Sequence, residues 1–68
     1  MTITVQPIGG TAVTVSPQDG ATVADALNAS GLVWEGQGIL LNGASCTNTG
    51  TLVRGGDRIS LIPQPKGA

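Results

Sequence analysis

The side chains able to do acid–base, nucleophilic or metal chemistry are few: one cysteine, four carboxylates, three cationic groups and no histidine in 68 residues. Cys46 is the only thiol, and with no imidazole in the chain and no basic cluster near it in sequence, nothing would hold it as a thiolate. A small buried or half-buried structural thiol is the simpler reading. Asp19, Asp25, Glu35 and Asp57 are scattered, so no paired acids are set up for proton transfer, and one cysteine without histidine makes no zinc site. Asp57 follows Gly55-Gly56 and reads as a turn residue. Gly9-Gly10 lacks the Gly-x-x-x-x-Gly-Lys spacing of a phosphate loop and reads as a hairpin turn. What remains is the stretch Gly56-Asp57-Arg58-Ile59-Ser60-Leu61-Ile62-Pro63-Gln64-Pro65-Lys66-Gly67-Ala68. It holds a tight turn, an alternating strand from Ile59 to Ile62, and a tail over 64–68 whose prolines and glycine neither continue a sheet nor start a helix. A strand running into a short extended tail is expected to present a chain terminus to something else.

The elements behind that tail must be economical. A chain of this size makes one small domain with no room for a deep substrate cavity. Its core must be aliphatic, because Phe and Tyr are absent and Trp34 is the sole aromatic residue. Trp34 reads as a cover for the open end of that core, with a partner contact as the other reading. Charged residues make up 10% of the chain and the formal net charge is -1, so there is no basic stripe to neutralise phosphates and nucleic-acid binding is not expected. The longest apolar runs, Leu32 to Trp34 and Ile39 to Leu41, fall far short of the roughly 20 residues that span a bilayer. No signal peptide is expected ahead of a chain that opens on a strand pattern, and a lone cysteine fits a reducing compartment. The cytoplasm and a monomer are the expectations.

Thr2 to Ile8 alternates, with Ile3 and Val5 on one face and Thr2, Thr4 and Gln6 on the other. Gly9-Gly10 supplies positive-φ residues for a turn, and Thr11 to Val15 repeats the alternation before Ser16-Pro17-Gln18-Asp19-Gly20 breaks it. Thr22 and Asp25 are spaced as a capping box; Val23, Ala26, Leu27 and Ser30 then share one face of a helix of about two turns that Gly31 ends. Ile39-Leu40-Leu41 is a third strand closed by the turn pair Asn42-Gly43, and Ala44-Ser45-Cys46 is a brief returning strand. Thr47 to Gly50 is loop by composition, Leu52-Val53 packs down, and the Arg54 to Asp57 turn leads to the final strand. The order strand, strand, helix, strand, short strand, strand gives an α+β roll: a mixed sheet of four to five strands on one short helix, over residues 1–63.

That order, with Gly56-Asp57-Arg58-Ile59-Ser60-Leu61-Ile62-Pro63 near the end and Lys66-Gly67-Ala68 at it, resembles the ubiquitin-like β-grasp family. Within it the chain is most similar to the sulfur carriers of thiamine and molybdopterin biosynthesis, the ThiS and MoaD type, and to prokaryotic ubiquitin-like modifiers. The resemblance covers the whole chain in element order, and in letters it rests on the last thirteen residues and the Ile39 to Asn42 strand.

The resemblance implies a protein that is acted on rather than an enzyme. In the family a terminal Gly-Gly enters the channel of an E1-like adenylating enzyme, and the carboxylate is activated with ATP that the enzyme uses. Sulfur or an amine then attacks, leaving a thiocarboxylate or a conjugate. Gly67 matches the first glycine, and Ala68 stands where the second belongs. The added methyl leaves three routes open: Ala68 is activated, Ala68 is trimmed by a peptidase such as a JAB-type metallopeptidase to expose Gly67, or the chain is a binding or structural module without terminal chemistry. Ile62 is expected on the outer sheet face, where the family uses an apolar patch to dock the enzyme; Pro63 and Pro65 would stiffen the arm toward an extended form. Lys66 is the only lysine and hence the only side-chain isopeptide acceptor.

Overall fold

The computed structural model describes residues 1–63. Five strands and one helix follow in the order β1 (Ile3–Pro7), β2 (Val13–Val15), α1 (Val23–Ser30), β3 (Gln37–Leu41), β4 (Ala44–Ser45) and β5 (Arg58–Pro63). The sheet order is β2-β1-β5-β3-β4, with β1 and β5 parallel in the middle and every other pair antiparallel. One face of this mixed sheet carries the helix, which makes the fold a β-grasp roll.

Alternation decides what is buried. Ile3 and Val5 of β1 and Ile59 and Leu61 of β5 lie fully buried, and Val15, Ile39, Val53 and Ala21 close around them. From the other layer Val23, Ala26 and Leu27 bury the helix's apolar stripe, as their spacing predicts. Trp34 is half-buried against this core, where its indole N–H donates to Asn28 Oδ1 at 3.0 Å, so it does cover the core's edge.

The helix is stopped and started by local chemistry. Thr22 and Asp25 form a reciprocal capping box, with the Asp25 amide donating to Thr22 Oγ1 at 3.2 Å and the Thr22 amide to Asp25 Oδ2 at 3.0 Å. Gly31 ends it in the left-handed region at φ 73°. A contribution that the sequence does not announce comes from the polar segment after β4. The Val23 and Ala24 amides, which no helical carbonyl can satisfy, donate to the Thr51 and Thr49 carbonyls at 2.8 and 3.0 Å. The Val53 amide donates in return to Ala21 O at 3.0 Å. Segment 49–53 is therefore a backbone cradle for the helix N-terminus rather than a free loop. Within it Val53 is buried, whereas Leu52, expected to pack down with it, is 63% exposed.

Other differences from the sequence reading have physical causes. The first hairpin has a longer connection than Gly9-Gly10 alone, and Gly9 alone of that pair has positive φ. The Thr4 and Ile8 amides donate to Asp57 and Leu61 carbonyls, so even-numbered amides of β1 face β5 and odd-numbered ones face β2. Pro7 falls on the β2 side with no amide to give, and the ladder ends at Val5 opposite Val13. β3 starts at Gln37 rather than Ile39, because Gln37 and Gly38 still pair with Pro63 and Ile62. β5 likewise runs on to Pro63, whose missing amide matters little at a strand's last position. β4 stops at Ser45, although the Cys46 amide still donates to Ile39 O at 2.8 Å. The expected Asn42-Gly43 turn is present with both residues at positive φ, 53° and 86°.

Two substitutions test this account by urea denaturation. Leu27→Ala removes a fully buried side chain between helix and sheet and should cost about 2–5 kcal/mol. Thr22→Ala removes one half of the capping box and should cost about 1 kcal/mol.

Candidate functional site

Strand β5 reaches the end of the described residues at the centre of the sheet. Its inward residues Ile59 and Leu61 are locked in the core, while Ser60 and Ile62 alternate onto the opposite, outer face, both half-buried. Pro63, its last residue, is exposed. Register places Gln6, Ser60, Leu40 and Ser45 in one row across that outer face, and Ile62 beside Gly38 in the next. Gly38 offers no side chain to cover Ile62 from that side.

Ile8 continues the parity of Thr4 and Gln6 beyond β1, and its amide donates to Leu61 O at 3.0 Å. It is 61% exposed, on the β1 side of Ile62. Sequence reasoning placed Ile62 on this face but overlooked Ile8 and Leu40. The signal was present in the same two-residue alternation, which puts position 8 with the polar row of β1 and position 40 opposite Ser60. Ile8 and Ile62, with Leu40 in the adjoining row, make this face apolar toward Pro63, while its other end carries Thr4 and Arg58.

Gln64, Pro65, Lys66, Gly67 and Ala68, on which the tail's expected extension, stiffness, activation and isopeptide roles fall, lie outside the described residues.

At the opposite end of β5 the chemistry is structural. Asp57 Oδ1 accepts from Asn42 Nδ2 at 3.0 Å and Oδ2 from the Arg54 amide at 2.8 Å. These bonds, led by that from Asn42 and helped by the nearby Arg54 charge, hold its carboxyl below the usual aspartate range. Both oxygens are engaged, which makes Asp57 a turn residue, as its place in Gly55-Gly56-Asp57 predicts. Asn42 completes the arrangement by accepting the Arg58 amide on Oδ1 at 2.9 Å.

Cys46 is half-buried against the core with its thiol pointed to Asn48 O at 3.4 Å, the structural position expected of it. It borders an open surface depression of about 260 Å³ lined also by Leu41 and Thr51; another of about 290 Å³ lies between Pro17 and Asp25. Neither is enclosed enough to hold a substrate away from water. Among the described residues no three His, Cys, Asp or Glu side chains gather as metal ligands, and no helix is long and apolar enough to cross a membrane.

A single mixed sheet with parallel β1 and β5 at its centre, one helix on one face and, among the described residues, nothing packed on the other defines the ubiquitin-like β-grasp class of small proteins. Within that class the backbone is similar to SAMP1 from Haloferax volcanii, with a TM-score of 0.78 and 22% identity over 100% of both chains. A second structure, of the H. volcanii small archaeal modifier protein 1, matches with a TM-score of 0.75 and 23% identity over 91% of this chain and 95% of that one. A chain from the complex of subunits 1 and 2 of molybdopterin-converting factor from Helicobacter pylori matches with a TM-score of 0.72 and 25% identity over 100% of both. No protein-family model and no curated protein matches the sequence.

The Asp57 bonds carry a pH dependence. Because its folded-state pKa is lowered, its stabilising contribution is complete above the unfolded value of about 3.9 and is lost as pH falls through the lower folded value. Asp57→Asn should cost about 1 kcal/mol at neutral pH and flatten the acid limb of stability measured by denaturant titration across pH.

Proposed function

We propose that this chain is a small ubiquitin-like carrier or modifier whose C-terminal acyl group is activated by an E1-like adenylating enzyme, for sulfur transfer or for conjugation. The observation that carries the reading is the backbone match to SAMP1 over the full length of both chains and to the small archaeal modifier protein 1 over 91% of this chain, together with the Lys66-Gly67-Ala68 segment. The likeness to a chain of a molybdopterin-converting factor complex supports the sulfur-transfer branch equally.

The chemistry asks little of this chain's side chains. A terminal carboxylate oxygen attacks the α-phosphorus of ATP bound by the enzyme, pyrophosphate leaves, and an acyl-adenylate forms. A sulfur nucleophile or an amine then attacks the carbonyl and AMP departs. The acyl residue is Ala68, or Gly67 after a JAB-type metallopeptidase has removed Ala68. Glycine suits a narrow channel because the backbone passes without a Cβ, and alanine adds only one methyl. On this reading Pro63 and Pro65, each with a ring-fixed φ, would reduce the entropy lost when the segment is threaded. Ile62, flanked by Ile8 and Leu40, supplies the apolar contact with the enzyme, and Lys66 limits side-chain self-conjugation to one position. The cytoplasm, where ATP and reduced thiols are available, is the proposed setting.

Ala68 itself favours a second reading, a β-grasp binding module without terminal chemistry. Intact mass of the protein isolated from its native cell separates the two. The carrier reading expects an exchange of sulfur for oxygen at the terminus, an adduct through the last carbonyl, or loss of Ala68. An unmodified full-length chain across growth conditions would instead establish the binding module. On the carrier reading Ile62→Asp should slow activation roughly tenfold or more while leaving the thermal unfolding midpoint nearly unchanged.

A further inference from the structure

Asn42-Gly43 is the two-residue turn between β3 and β4 and also the dipeptide most open to spontaneous deamidation, because a glycine amide meets little steric resistance on approach to the preceding side chain. In that reaction the Gly43 backbone nitrogen, having lost its proton, attacks Asn42 Cγ. The Cγ–Nδ2 bond breaks, ammonia leaves, and water opens the resulting succinimide to aspartate or isoaspartate. Asn42 is exposed to the water that the last step needs.

Its side chain is nevertheless committed elsewhere. Oδ1 accepts the Arg58 amide at 2.9 Å and Nδ2 donates to Asp57 Oδ1 at 3.0 Å, partners fifteen and sixteen residues away on the approach to β5. The backbone adds a third tie, from the Asn42 amide to Arg58 O at 2.8 Å. Attack by Gly43 requires the side chain to swing back over its own turn, which breaks both side-chain bonds at once. Asn28 and Asn48, the other two asparagines, precede Ala29 and Thr49, whose side chains hinder attack.

We propose that Asn42 is a deamidation site latched shut by Asp57 and the Arg58 amide, and that deamidation there unfastens the β3–β4 turn from the start of β5. The second half follows from the replacement of Nδ2 by oxygen. A donor facing the Asp57 carboxylate becomes an acceptor, and two carboxylates then stand at hydrogen-bond distance. The isoaspartate product also adds a backbone atom to a two-residue turn that has no slack for it. Facing Asp57 are Asn42 from the β3–β4 turn and Arg54 from its own turn, with Arg58 next along β5; Arg54 is the charged group that adds to the lowering of its pKa.

The test incubates the full chain at mildly alkaline pH and follows each asparagine by peptide mass and isoaspartate content. The unfolded chain in denaturant should deamidate first at Asn42. The folded chain should be protected there, and Asp57→Ala should raise the folded rate about tenfold, the equivalent of one charge-assisted hydrogen bond lost. Asp19→Ala, far from the turn in sequence, should leave it unchanged. Rates at Asn28 and Asn48 report general unfolding: a rise confined to Asn42 supports the latch, and an equal rise at all three overturns it. So does a folded wild-type rate at Asn42 that equals the rate in denaturant. Asn42→Asp provides an independent reading without any deamidation step. Its stability deficit against wild type should be largest at neutral pH and shrink toward pH about 4, as one of the paired carboxylates takes up a proton. A deficit that does not change with pH overturns the proposed carboxylate pair.

Discussion

The parallel pairing of β1 with β5 is the contact on which the rest of this molecule depends. It joins the first strand to the last across the middle of the sheet, and the residues that alternate inward from the two strands, Ile3, Val5, Ile59 and Leu61, are the floor onto which the helix packs. A parallel pair cannot be closed by a tight turn, so the whole intervening chain is the crossover connection. Its longest-range contacts must therefore form before the core is complete, which places the fold on the slower side for so small a chain. Every other element builds outward from this pair: β2 on the outer edge of β1, β3 on the outer edge of β5 with β4 beyond it, and α1 on the buried face.

With an aliphatic core and few charges, specificity rests on hydrogen bonds that direct the backbone. Two places do most of this. At one, segment 49–53 lends its carbonyls to the first amides of α1, while Thr22 and Asp25 cap each other. At the other, Asn42, Asp57 and the amides of Arg54 and Arg58 tie the β3–β4 turn to the entrance of β5. Both fasten a turn or helix end to a segment remote in sequence. Each replaces solvent at backbone groups that the chain's small size would otherwise leave wet.

The sequence is informative wherever a feature is carried by neighbouring side chains. The capping box at Thr22 and Asp25, the Gly31 stop, the Asn42-Gly43 turn and the inward parity of β1 and β5 are all readable from spacing alone. Two features were out of reach for a common reason. The early end of the first hairpin depends on which side of β1 each neighbour lies, since Pro7 would be harmless had its nitrogen faced solvent. The cradle at 49–53 works through carbonyl oxygens that every residue possesses, so its polar side chains read only as loop. On the outer face, Ile62 was legible from its own strand, whereas Ile8 and Leu40 joined it only once the strand order β1-β5-β3 was known.

The central position of β5 has a mechanical consequence. A force applied to the chain beyond Pro63 and resisted at Met1 runs along two parallel neighbours in the same sheet, so it loads their hydrogen bonds in shear and not one after another as in a zipper. The strand is also gripped on its other flank by the five pairs with β3. Whatever pulls on this end of the molecule must first shear the β1–β5 ladder, while the β3 pairs hold β5 in the sheet.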